Sequence, residues 1–251
     1  MILLIGNWKM APEKNTQAVD FAKKTQAIAR TYKKKLSVIV CPSFIHIPTV
    51  VRQTTTLGIG AQSVAPGLEI ASTGEVSAAM LKSYGVGYCI VGHSESRAQG
   101  ATNDTVREQV LRLLEKKIAP ILCIGEKERD VQGWYLSTIK EQLESALGDI
   151  PKASLKNLVI AYEPIWAIGS HALREATPDE CQEMIIYIRK VIADMHGDKA
   201  ASSVHIIYGG SVNDTNAADF ITSGKAQGML VGRVSLDAKR FAKVAHALAS
   251  L

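Results

Sequence analysis

Short apolar runs rich in Val and Ile begin near Ile2, Leu36, Leu57, Tyr88, Ala119, Asn157, Val204 and Ala226, a period of roughly 32 residues. Between most of them the apolar positions recur at helical spacing. Val106, Val110, Leu113 and Leu114 share one face, and Met184, Ile185, Ile188, Val191 and Ile192 share another. Runs that are apolar throughout read as strands buried on both sides, and their alternation with amphipathic helices reads as a parallel sheet covered by helices. No Pro/Gly/Ser-rich linker divides the chain. Eight such units in sequence favour an α/β fold closed into a (β/α)8 barrel, with residues 1–251 forming a single catalytic domain. The alternative is an open, doubly wound sheet. That fold would place a G-x-G-x-x-G turn after the first strand, where Gly6-Asn7-Trp8-Lys9 stands instead.

Composition narrows the picture. The 251 residues are 47% apolar, enough for a large core. No apolar run approaches the roughly 20 residues of a membrane span. Met1 to Gly6 lacks a basic n-region and reads as a first strand rather than a leader. Cys41, Cys89, Cys123 and Cys181 form no CxxC pair, so reduced thiols in a cytoplasmic protein are expected, with no metal site. The net charge of +5 is spread along the chain. The Lys33-Lys34-Lys35 run suits a solvated helix end. Basic residues are not interleaved with aromatics, which argues against nucleic acid as a partner.

In a barrel of this kind the chemistry gathers at the carboxyl ends of the strands. The polar residues found there are Asn7 and Lys9 after the first run, Gln62 after the third, His93, Ser94 and Glu95 after the fourth, and Glu163 after the sixth. Gly209-Gly210-Ser211 and Gly232-Arg233 follow the last two, where backbone N–H groups of such barrels commonly hold a phosphate. A carboxylate base, an imidazole acid and an ammonium around a bound phosphate suit proton abstraction beside a carbonyl. In that chemistry Glu163 takes the proton, while Lys9 and His93 stabilise the enediolate oxygens, with no cofactor required. Two other classes are open at this point: another phosphate-binding barrel enzyme, such as an aldolase or synthase, and a binding protein without catalysis. A Schiff-base aldolase would end its sixth strand in lysine, where this chain has Glu163, and a non-catalytic relative would be expected to have lost one of Lys9, His93 or Glu163.

Gly6-Asn7-Trp8-Lys9, Gly60-Ala61-Gln62, Ser72-Thr73-Gly74-Glu75, Gly92-His93-Ser94-Glu95, Cys123-Ile124-Gly125-Glu126, Ala161-Tyr162-Glu163-Pro164-Ile165-Trp166-Ala167-Ile168-Gly169 and Tyr208-Gly209-Gly210-Ser211-Val212 together resemble the triosephosphate isomerase family, in order and from end to end. The resemblance implies a (β/α)8 TIM barrel that interconverts dihydroxyacetone phosphate and glyceraldehyde 3-phosphate in glycolysis and gluconeogenesis, as a cytoplasmic homodimer. It implies Glu163 as base, neutral His93 as electrophile, Lys9 as the stabilising cation, Asn7 as an orienting amide and Glu95 as a hydrogen-bonding partner. It implies a phosphate cradle of Gly169, Ser211, Gly232 and Arg233, a closing lid over Pro164 to Ala176, and an interface loop of Thr73 and Glu75.

Three departures stand out. Ser96 occupies the place of an arginine after His-Ser-Glu, which leaves an interface contact in question. Arg233 replaces the second glycine of a pair, where a left-handed backbone would carry a cost. The lid reads Gly169-Ser170-His171-Ala172-Leu173-Arg174-Glu175-Ala176 and is about two residues longer than is usual in the family, an increment worth only about 0.15 kcal/mol in closure entropy. Its polar stretch from Ser170 to Glu175 is expected to form an outward, solvent-facing tip, with a composition that suits a short helical turn. His46, His196, His205 and His246 match no motif and are expected to be structural or exposed; Trp166 is expected to pack under the lid.

Overall fold

A computed structural model describes residues 1–67, 71–169, 172 and 174–251. Eight parallel strands close on themselves in chain order, β1 pairing with both β2 and β8. They are β1 Ile2–Asn7, β2 Leu36–Cys41, β3 Gly58–Ala61, β4 Tyr88–Val91, β5 Ala119–Ile124, β6 Val159–Tyr162, β7 His205–Tyr208 and β8 Gly228–Val231. The helices are α1 Asn15–Thr31, α2 Ile47–Gln53, α3 Ala78–Ser83, α4 Ser94–Ala98, α5 Asn103–Glu115, α6 Trp134–Leu147, α7 Pro178–His196, α8 Asp198–Ser203, α9 Ala217–Thr222 and α10 Ala238–Ala249.

Side chains alternate across each strand, so closure divides the apolar residues into two cores. Ile5, Ile39, Ile90, Ile121, Cys123, Val159, Ala161, Ile207 and Leu230 fill the barrel interior. Leu4, Val38, Val40, Val91, Leu122, Ile160, Ile206 and Met229 face outward into the helical layer. That is why the strands are apolar throughout. From α5 come Val106, Val110 and Leu113, and from α7 Met184, Ile185, Ile188, Val191 and Ile192, all buried against the outer sheet face. Each such side chain contributes about 1.5–3 kcal/mol of burial.

Four strands begin one or two residues later than the apolar pattern alone indicates. Asn157 closes a 3-10 segment, Lys152–Asn157, so β6 starts at Val159. The N–H of Ala226 is taken by the carbonyl of Phe220 in α9, so β8 starts at Gly228. In β3 and β7, Leu57 and Val204 are buried one residue ahead of the ladder. The Lys33-Lys34-Lys35 run is exposed just past α1. All four cysteines are buried and unpaired. None of the described helices is long and apolar enough to cross a membrane.

Candidate active site

The turn after β1 holds Lys9 at φ 51°, a left-handed backbone that lysine rarely adopts. Three groups fix it. Asn7 Oδ1 accepts from the Lys9 N–H at 2.9 Å, and the Lys9 carbonyl accepts from Gln62 Nε2 at 2.8 Å and from Ser43 Oγ at 2.9 Å. Asn7 ends β1, and Ser43 and Gln62 follow β2 and β3, so three neighbouring strands set the lysine backbone. Lys9 Nζ donates to Glu95 Oε1 at 2.5 Å. Partial burial alone would raise the Glu95 carboxyl, but the hydrogen bond and charge of Lys9 hold it below its usual range.

After β4 the chain turns through Gly92 into α4. The N–H of Glu95 donates to His93 Nδ1 at 3.2 Å. Accepting that bond requires Nδ1 to be unprotonated, which places the ring proton on Nε2. Nε2 points across the barrel mouth to Glu163 Oε1, 3.3 Å away.

Glu163 follows β6 and is buried, and its other oxygen accepts from the Ser94 N–H at 3.1 Å. Two glycines leave room for it. A Cβ on Gly209 would lie 2.8 Å from Glu163 Cγ, and one on Gly125 would collide with the Glu163 carbonyl oxygen. Beneath Glu163, burial and the nearby Glu163 charge push the Cys123 thiol well up, so it stays protonated. Burial lowers Arg97, although the charges of Glu163 and Glu141 oppose that shift. It donates to the Gly92 carbonyl at 2.9 Å and to Asn103 Oδ1 at 2.7 Å.

One cavity of about 440 Å³ is lined by Asn7, Lys9, His93, Glu95 and Glu163 on one side and by Gly169, Ser211, Gly232 and Arg233 on the other. Arg233 does not have the left-handed backbone feared for it. It opens a 3-10 turn, Arg233–Leu236, with Gly232 at φ −89°, so the substitution carries no such cost. Thr73 and Glu75 lie elsewhere, in an exposed turn spanning Ser72 to Glu75. Of the motif-free histidines, His46 and His196 are buried against carbonyls of Pro12 and Leu147, and His205 is exposed.

Sequence reasoning gave no role to Glu126, Arg129, Arg174 or Arg240. Arg240 joins the cavity lining from α10. Glu126 is buried after β5 and accepts from Tyr162 Oη and Trp166 Nε1, both at 2.8 Å, and from Arg129 Nε at 3.4 Å. Its place at a strand end beside Gly125 was the available signal. Of the expected lid tip, Ser170, His171 and Leu173 lie outside the described residues. Ala172, Arg174 and Glu175 are exposed and not helical, and the Arg174 head folds back over Trp166 rather than outward. Trp166 itself is buried.

A closed barrel whose mouth gathers a buried carboxylate, an imidazole and an ammonium opposite the glycine-rich ends of β7 and β8 has the layout of barrel enzymes that transfer protons on phosphorylated carbonyl compounds. The family model described as triosephosphate isomerase matches residues 2–248. The triosephosphate isomerase of Thermus thermophilus is 40% identical over 244 residues, 96% of each chain. That of Endomicrobium trichonymphae is 38% identical over 247 residues, 96% of each, and that of Clostridium botulinum strain Okra is 36% identical over 248, covering 97% of this chain and 98% of the relative. The chain belongs to the triosephosphate isomerase family and is an isomerase of triose phosphates.

Proposed function

We propose that the cavity residues carry the isomerisation in the following division of labour. The substrate phosphate lies against the backbone of Gly169, Ser211, Gly232 and Arg233. Its carbonyl oxygen then faces His93 Nε2–H and Lys9 Nζ, where negative charge develops. Glu163 leaves the Ser94 N–H, removes the proton from the carbon beside the carbonyl, and the C–H pair becomes the C=C of an enediolate. The same carboxylic acid returns the proton to the neighbouring carbon while His93 passes the hydroxyl proton from one oxygen to the other, so the carbonyl re-forms on the first carbon and no net proton is gained or lost. Asn7 and Glu95 position Lys9. Residues 164–176 close over the site and exclude water, which keeps the intermediate from losing phosphate.

The observation that carries this reading is the 3.3 Å approach of His93 Nε2 to Glu163 Oε1, with Nδ1 already occupied as an acceptor. It puts a donor and a base on the same small volume. Glu163→Gln keeps the shape and removes the base, so kcat should fall by at least about 10²–10⁴-fold in a coupled assay with glyceraldehyde 3-phosphate. Near-natural turnover in that variant would reassign the base. A phosphorylated enediolate mimic, 2-phosphoglycolate, should bind more tightly than substrate.

The proposal includes one catalytic unit over residues 1–251, a cytoplasmic setting that suits four buried thiols, and a two-fold dimer in which Thr73 and Glu75 enter the partner.

A further inference from the structure

The lid region has two hinges. On the ascending side, the 3-10 segment Ile165–Ala167 carries Trp166, whose indole N–H donates to Glu126 Oε1 at 2.8 Å. On the descending side, Thr177 caps α7 and Glu180 completes the capping box, accepting from the Thr177 N–H at 2.8 Å. Arg174 touches both hinges. Its guanidinium carbon lies 4.5 Å from the centroid of the Trp166 ring. Its two terminal nitrogens take one Glu180 oxygen each, Nη1 reaching Oε2 at 2.9 Å. Nη1 also donates to the Glu175 carbonyl at 3.1 Å. A second guanidinium, that of Arg129, lies 5.8 Å from the same ring and pairs with Glu183 at 2.9 Å.

We propose that Arg174 is a positioning residue that latches the lid in its resting conformation, and that release of Trp166 and Glu180 is a step of closure. The proposal rests on the reading of residues 164–176 as a lid. The resting state is recognisable at the site. Glu163 is held on the Ser94 N–H, and Ser211 Oγ is spent on the Ala167 carbonyl at 2.9 Å. The Tyr208 hydroxyl, next to the glycine pair, is buried without a hydrogen-bond partner among the described residues. For the segment around Gly169 to move onto a phosphate, the hinge at Trp166 must turn. An indole held by Glu126 at its nitrogen and covered by Arg174 turns only when those contacts yield.

Contacts made only at rest lower the closed population, and the apparent affinity of any ligand that requires closure falls by the same factor. The Arg174 side chain is 53% exposed and that of Glu180 19%. An ion pair so placed contributes modestly, so its removal should change affinity about two- to fivefold.

Arg174→Met keeps an apolar stem over the ring and removes the guanidinium. We expect 2-phosphoglycolate to bind about two- to fivefold more tightly by calorimetry, KM to fall in parallel, and kcat not to rise. Glu180→Gln, which keeps an acceptor for Thr177, should tighten binding equally, and the double variant should add nothing further. Arg174→Lys, with charge but without the paired hydrogen bonds, should fall between. A residue that merely supports the fold would lower the melting temperature and weaken the inhibitor. That result, or unchanged inhibitor affinity in Arg174→Met, overturns the latch while leaving the isomerase reading intact. Extensive methylglyoxal formation by the natural protein would instead remove the lid on which the latch depends.

Discussion

At Lys9 the backbone and the side chain answer to different demands. Its φ of 51° costs on the order of 1 kcal/mol for a residue with a Cβ. That conformation persists because Asn7, Ser43 and Gln62 all bind its peptide groups. The two demands can be separated. Lys9→Gly removes the strain together with the ammonium, while Lys9→Met removes the ammonium alone. We expect Lys9→Gly to stay within about 1 kcal/mol of natural stability, because relief of strain offsets the extra entropy of an unfolded glycine. Both variants should lose about 10²-fold or more in kcat, since a charge aimed at the developing oxyanion is gone. Denaturant melts and turnover on the same samples check this. Parallel loss of stability and rate in Lys9→Gly would show that the strained turn depends on the side chain. Lys9, His93 and Glu163 were legible as candidates because each is among the few polar groups that follow an apolar run. Arg174 and Glu126 were not, because their meaning arises only where two separate loops pack on Trp166.

At the scale of elements, the start of α7 shows what local sequence reveals and what it conceals. Thr177, Pro178 and Glu180 spell a helix start by themselves, with Pro at the first helical position and a reciprocal cap. Nothing in that stretch says that Glu180 also holds Arg174. The hydrogen bond from Arg174 is the largest cause that brings the Glu180 carboxyl down to about 2, and the Thr177 backbone adds to it. Arg129 stands 4.0 Å away as the other facing cation. A carboxyl depressed in the folded state from an ordinary 4.5 contributes stability that is complete above about pH 4.5 and is lost as pH falls toward 2. The melting temperature of the natural protein should therefore drop more steeply between about pH 5 and about pH 3 than that of Glu180→Gln. Equal slopes would mean that the pair is too well solvated to matter. The strand boundaries carry a similar lesson: apolarity runs on through Leu57 and Val204, so the pattern alone cannot tell where the ladder begins.

For the whole molecule, barrel closure fixes which surfaces neighbour each other, and this bears on assembly. The turns after β1 and β2 and the segment through α3 occupy consecutive sectors. The first two turns expose Met10 (96%) and Ile45 (77%), and Met80 (53%) lies in α3 a few residues past the exposed Ser72–Glu75 turn. Apolar groups gathered on one side of a barrel are a reason to expect a partner there, and a self-complementary patch gives a two-fold dimer. Ile45 separates the possibilities. On an isolated chain it is largely in water, so Ile45→Asp should leave stability almost untouched. In a dimer the same change removes burial and strands a carboxylate, costing at least about 2 kcal/mol, or about thirtyfold in Kd. We therefore expect light scattering at micromolar concentration to give the mass of two chains for the natural protein. Ile45→Asp should give one chain at the lower end of that range, with kcat falling as dilution proceeds because the Thr73 turn no longer braces the partner's site. A natural protein that scatters as one chain, and an Ile45→Asp variant of unchanged activity at every dilution, would make each barrel complete in itself and leave the exposed side without an assembly role.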